Sequence, residues 1–134
     1  MEKFILDRDI PVICIQAKSF PEGVLEAHQS LHTIISYTTK RAYFGLSSPD
    51  KSGRIIYKAA AEILVSDGVF DLEKFTIKQG LYYSVIIKDF MNDVSQIGVT
   101  FQKLISMEDI DPKGCCIEWY INESDVRCMV PVLQ

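Results

Sequence analysis

Val12-Ile-Cys-Ile-Gln-Ala-Lys-Ser-Phe20 and Tyr82-Tyr-Ser-Val-Ile-Ile-Lys-Asp-Phe90 decide the fold, because they are two copies of one pattern set seventy positions apart. Lys18 matches Lys88 and Phe20 matches Phe90, and the register continues through Val24 and Val94, Leu31 and Phe101, Ile35 and Ile105. Two copies are too few for a stacked solenoid, so the halves must bury their apolar faces against each other. The seam between them is the first place to look for a binding site.

Each copy opens on an apolar, β-branched run that reads as a strand, Ile10 to Ala17 in the first. Phe20-Pro21 stops that strand and starts a helix expected over Glu22 to Thr39, where Val24, Leu31 and Ile35 recur at three-and-four spacing. Arg41 to Ser47 reads as the next strand, Ser48 to Gly53 as a polar loop, and Ile55 to Val65 as a third extended segment despite the helical propensity of Ala59-Ala-Ala-Glu62. Ser66-Asp-Gly-Val-Phe-Asp71 is the hinge between copies. Beyond it, Phe75 to Asp89 is strand broken near Gln79-Gly80, and Asn92 caps a helix to about Met107. Cys115 to Ile121 and Val126 to Val132 form a closing hairpin around Asn122-Glu-Ser-Asp125. The expectation is an α+β fold: duplicated β-α-β-β units, about 10–65 and 75–134, giving a curved, mostly antiparallel sheet of about eight strands with two helices and a cleft between the halves.

Size and charge narrow the function. With 134 residues and 48% hydrophobic content the chain supports one domain over residues 1–134 without crosslinks. Net charge is −4 and the fourteen basic residues form no cluster on an expected face, so direct nucleic-acid binding is not expected. Met1-Glu-Lys-Phe-Ile-Leu-Asp-Arg-Asp has no apolar signal core, and no stretch approaches the roughly 20 residues of a membrane span. A cytoplasmic protein is expected. Cys14, Cys115, Cys116 and Cys128 form no C-x-x-C pair and read as reduced structural thiols, with Cys115-Cys116 the redox candidate.

Cys116-Ile-Glu-Trp-Tyr120, a short turn, then Asp125-Val-Arg-Cys-Met-Val-Pro-Val132 resembles the GyrI-like small-molecule-binding domains, also described as bacterial transcription activator effector-binding domains, with a SOUL-like duplicated fold. Tyr43-Phe-Gly45, Tyr57 with Ala59-Ala60, and Gly80-Leu-Tyr-Tyr83 fall in the same order, so the resemblance covers nearly the whole chain. It implies an aromatic-lined cleft between pseudo-symmetric units, with Glu118 as the carboxylate that meets cationic aromatic compounds. The chain departs from the fused members in having no helix-turn-helix, and it carries Ser19-Phe-Pro-Glu-Gly23 where a Lys-Gly-Pro-Tyr-like start is usual. The expected function is a stand-alone small-molecule-binding protein of the effector-binding type, needing no cofactor, with a separate regulator or protein as a further partner. Two alternatives are a hydrolase of cyclopropane-type electrophiles using Glu118 and a gyrase-inhibitor-like interaction module.

The residues support that reading independently. Glu118 lies among Cys, Ile, Trp and Tyr, where burial disfavours its charge until a cation or donor arrives. Period-two alternation puts Tyr120 on its face and Trp119 on the other, where Trp119 reads as core. Tyr43, Tyr57 and Tyr83, with Tyr82, offer further ring faces to a cation. A structural alternative pairs Glu118 with Arg127 across the terminal hairpin. His28-Gln-Ser-Leu-His32 matches the zinc-protease spacing, but Gln29 stands where a glutamate base is needed, so no metal is expected and His28 reads as an edge-of-core residue matched by Gly98.

Overall fold

The computed structural model describes residues 1–133. Eight strands form one antiparallel sheet: β1 (Glu2–Leu6), β2 (Ile10–Gln16), β3 (Tyr43–Pro49), β4 (Ile55–Glu62), β5 (Glu73–Ile77), β6 (Gly80–Ile87), β7 (Cys116–Tyr120) and β8 (Val126–Pro131). Two helices, α1 (Val24–Ile34) and α2 (Ser95–Ile105), complete the α+β architecture. The strand order is β1-β6-β8-β7-β3-β4-β2-β5, so the two halves of the sheet meet where β7 pairs with β3.

The pairing corrects the sequence reading in one respect. Each unit has an extra leading strand, and the two are exchanged: β1 precedes the first copy but pairs with β6 of the second, while β5 precedes the second and pairs with β2 of the first. The two strand-to-strand links meet where the Gln79 amide donates to the Asp9 carboxylate at 2.8 Å.

One face of the sheet curls onto a helix-free core of Leu6, Ile10, Val12, Phe44, Leu46, Ile77, Ile117 and Met129, joined by Trp119. The other face carries the helices. α1 covers Ile13, Tyr43, Ala59 and Ala61, and α2 covers Tyr83, Val126, Cys128 and Val130. Ala59-Ala-Ala61 is strand although alanine favours helix, because β4 is clamped between β2 and β3 and its small side chains let α1 approach the sheet.

Both helices are shorter than expected. Ile35 is already extended, and the Thr38 amide donates to the Tyr43 hydroxyl at 2.9 Å, drawing the chain off the helix axis. Asn92 does not cap α2: it lies in a 3-10 turn, Phe90–Asn92, and the helix begins after Val94 with no side-chain cap. No described helix is long and apolar enough to cross a membrane. All four cysteines are free, and burial raises their thiols, Cys115 and Cys116 to about 11 and Cys14 and Cys128 to about 12. The Cys115-Cys116 pair therefore has little of the thiolate character that redox chemistry requires.

Candidate functional site

The seam between the halves places Gly45 of β3 directly opposite Glu118 of β7. Both positions point to the helix-bearing face, and Tyr57 arrives from β4 through the gap that Gly45 leaves. A β-carbon on Gly45 would overlap the Tyr57 hydroxyl, lie 2.7 Å from its Cζ and 3.1 Å from Glu118 Oε1. This glycine is a requirement of close approach, not of backbone conformation. Gly45→Ala is expected to cost about 1–3 kcal/mol through overpacking, measured by urea unfolding. Adding Tyr57→Phe should restore part of the loss, since the hydroxyl is the obstacle; an unaltered midpoint for Gly45→Ala would refute this account.

Tyr57, Tyr120, His28 and Glu118 form one hydrogen-bonded group. The Tyr120 hydroxyl donates to Glu118 Oε1 at 2.5 Å, the Tyr57 hydroxyl lies 3.0 Å from that of Tyr120 and 3.4 Å from the same carboxylate oxygen, and His28 Nε2 is 2.8 Å from the Tyr57 hydroxyl. With Tyr120 committed to the carboxylate, the Nε2–H tautomer of His28 gives a continuous chain in which His28 donates to Tyr57, Tyr57 to Tyr120 and Tyr120 to Glu118, whereas the other tautomer has Tyr57 donating to His28. Glu118 Oε2 has no hydrogen-bond partner among the described residues, although the residue is only 8% exposed.

Electrostatics follow from that enclosure. Burial raises the Glu118 carboxyl above its ordinary value, with the Tyr120 and Tyr57 hydrogen bonds opposing the shift. The Tyr57 and Tyr120 hydroxyls are raised by burial and by the neighbouring carboxylate, so both stay protonated donors. Burial, aided by His32, lowers His28 to about 4, keeping its ring neutral. A proton on Glu118 belongs on Oε2, the oxygen without a partner, where it is the first group to respond to an arriving charge.

The repeat explains the rings above this group. Phe20 stacks on Tyr57 with centroids 5.9 Å apart, and its counterpart Phe90 tilts against Tyr120 at 5.8 Å. His28 turns its ring edge to both tyrosines. Phe90 is anchored: the Phe90 amide donates to the Ser124 carbonyl, and the Asp89 amide to Asp125, a carboxylate held at about 2, first by Asn122. Phe20 is 42% exposed, and its turn makes only the local bonds from Gly23 to Ser19 and from Val24 to Pro21. Cavities of about 310 Å³ beside Met1, Val85 and Leu104 and about 50 Å³ beside Leu46 and Cys115 lie elsewhere.

The structure thus joins three of the expected residues, Glu118, Tyr120 and Tyr57. Tyr43 packs one step along, stacked on Tyr37 and edge-on to His32. Tyr83 lies beneath α2 and donates to Asp109 at 2.6 Å. Tyr82 is on the helix-free face, donating to the Lys78 carbonyl. The Glu118–Arg127 pair does not form. The hairpin register sets Cys128 opposite Glu118 and Trp119 opposite Arg127, so Arg127 projects to the other face, where it bonds Glu2 and Ser84 and covers the Phe4 ring at 4.0 Å. His28 and Gly45 were missing from the expected site. Their signals were the unequal His28 and Gly98 at matched positions, and a glycine in a strand interior.

No protein-family model and no curated protein matches the chain. Among solved structures, the crystal structure of an integron cassette protein from the mobile metagenome of Vibrio cholerae is similar, with a TM-score of 0.73, covering 98% of this chain and 94% of that one. At 10% identity the likeness is one of fold alone.

Proposed function

We propose that this protein is a small-molecule-binding domain of the GyrI-like, effector-binding kind, acting in the cytoplasm and taking a lipophilic aromatic cation at Glu118. One observation carries the reading: a buried carboxyl with a free Oε2 is held beneath aromatic rings at the junction of two repeats. A purely structural acid has reason to find a cationic partner, and this one has only neutral donors. An incoming cation supplies the missing charge, and Tyr57, Tyr120, Phe20 and Phe90 supply ring faces for it. The net charge of −4 favours the same sign of ligand. The bound ligand is sequestered or presented to a separate regulator.

Titration with ethidium, followed by dye fluorescence and thermal melting, tests this. Wild-type protein should bind saturably and melt higher, by the equivalent of about 2.7 kcal/mol at a hundredfold excess over Kd. Glu118→Gln should weaken binding at least about tenfold, roughly 1.4 kcal/mol. Wild-type affinity should fall as pH drops through the raised Glu118 value, since the neutral acid must lose its proton to meet a cation. Equal binding by Glu118→Gln, or none by either protein, would overturn the proposal. A neutral carboxyl beside a tyrosine also has the form of a general acid. Conversion of a cyclopropane-type electrophile to product, lost in Glu118→Gln, would replace binding by hydrolysis.

A further inference from the structure

The leading strands repeat as the rest of the chain does. Met1-Glu-Lys-Phe-Ile-Leu6 and Leu72-Glu-Lys-Phe-Thr-Ile77 share Glu-Lys-Phe seventy-one positions apart, and they carry β1 and β5. Continuing each strand register by one residue sets Leu72 opposite Ile15 of β2 and Met1 opposite Val85 of β6. Ile15 and Val85 are themselves matched residues, seventy apart. On the α1 side this place is filled: Phe70 and Leu72 pack, with Ile15, against the core of Ile13, Leu31 and Ala59. On the α2 side it is not. Met1 is 68% exposed, no described residue stands in for Phe70, and a cavity of about 310 Å³ opens among Met1, Val85, Thr100, Lys103, Leu104 and Met107. Lys103, Leu104 and Met107 follow Thr100 by three, four and seven residues, so one stripe of α2 and the turn after it forms the long wall.

We infer that this cavity is a second binding site, separate from the seam, for an acyl-chain carboxylate. The chain lies along the α2 stripe against Val85, Leu104 and Met107, in the place that Phe70 and Leu72 fill in the other half, and the carboxylate meets Lys103 and the Thr100 hydroxyl at the rim. At about 310 Å³ the space is about twice a cavity that holds a benzene ring, roughly 150 Å³. Four apolar walls with a few polar groups at one side are the usual make-up of a small-molecule site, and two of the four are methionines, which adapt to a flexible chain. The side chains of Thr100 and Lys103 have no partner among the described residues, and no carboxylate lines the cavity. The chain as a whole is acidic, but the one charged wall here is a lysine, so the local field selects an anion.

The test is calorimetric titration with submicellar decanoate and with decanol, which share a chain and differ in charge. The proteins are wild type, Lys103→Gln, Val85→Phe, Thr100→Leu and the control Lys51→Gln, whose exposed side chain lies in the β3–β4 turn. Wild type should bind one decanoate saturably, at least about threefold more tightly than decanol. Lys103→Gln should raise the decanoate Kd at least about threefold and leave that of decanol unaltered, while Lys51→Gln binds as wild type does. Val85→Phe fills the space from the sheet and should weaken both ligands at least about tenfold, yet melt about 2–5 °C higher without ligand. Thr100→Leu fills it from the helix and should act in the same directions. The inference is overturned by the absence of saturable decanoate binding in wild type, by an unaltered decanoate Kd in Lys103→Gln, or by full binding in both filled variants. Lower melting of both filled variants would show that the space is not free, also overturning it. Ethidium binding at Glu118 is independent of these arms, so the failure of one site leaves the other standing.

Discussion

Asp67→Ala is expected to lose about 3–5 kcal/mol of stability, the range for stranding one member of a buried ion pair. Arg41 grips Asp67 with two parallel hydrogen bonds of 2.8 and 2.9 Å, and the two side chains are 8% and 9% exposed. Each has a further partner: Arg41 Nη1 donates to the Glu62 carbonyl at 2.8 Å, and Asp67 accepts from the Leu64 amide at 2.7 Å. The pair thus fastens the end of β4 and the hinge between the repeats to the approach to β3. Without Asp67, a guanidinium whose Nε already lacks a partner is left in a nearly dry place. Against a usual net stability of about 5–15 kcal/mol the loss is large. Urea unfolding measures it, and the double change Arg41→Met with Asp67→Leu should recover part of it by removing both charges. A loss below about 1 kcal/mol for Asp67→Ala would show that water reaches the guanidinium.

The second large effect is on acid stability. His28 ordinarily titrates at 6.5 and is lowered to about 4 in the fold, so the unfolded chain binds more protons between those values. Its contribution to stability is complete above 6.5 and is lost as pH falls toward 4, by at most about 3 kcal/mol. Glu118 acts in the opposite sense. Its folded-state value is raised, so its contribution is complete below the ordinary 4.5 and is lost as pH rises through the shifted value. Where the windows overlap, the two partly cancel. Glu118→Gln should therefore steepen the fall in melting temperature on acidification, and His28→Gln should flatten it. His32, lowered by burial, adds a smaller slope of the same sign as His28. Melting curves between about pH 4.5 and about pH 7.5 decide the matter: parallel profiles for all three proteins would rule out this assignment.

The duplication made much of the fold legible. Strand and helix positions in the two copies supported each other, and the alternation in Cys116 to Tyr120 put Glu118 and Tyr120 on one face, as observed. Features that depend on distant partners were not legible. Strand β1 is a short apolar run beside charges, and its core-facing Phe4 and Leu6 have meaning only once β6 pairs with it and Trp119 meets the Phe4 ring. The arrival of Tyr57 at Glu118 required the register of β3 against both neighbours, which brings Gly45 opposite Ala59 on one side and Glu118 on the other. The Arg127 expectation failed by one residue of hairpin register, and in a strand one residue is a change of face.

The exchange of β1 and β5 bears on how this chain reaches its folded state. Neither repeat can assemble its own four-stranded portion from contiguous chain, since Glu2 must find Ser84 and Cys14 must find Glu73. Folding therefore has high contact order and is slow for a chain of this length. A cut in the hinge would give two fragments that are unstructured apart and regain the native sheet when mixed, each contributing one edge ribbon to the other.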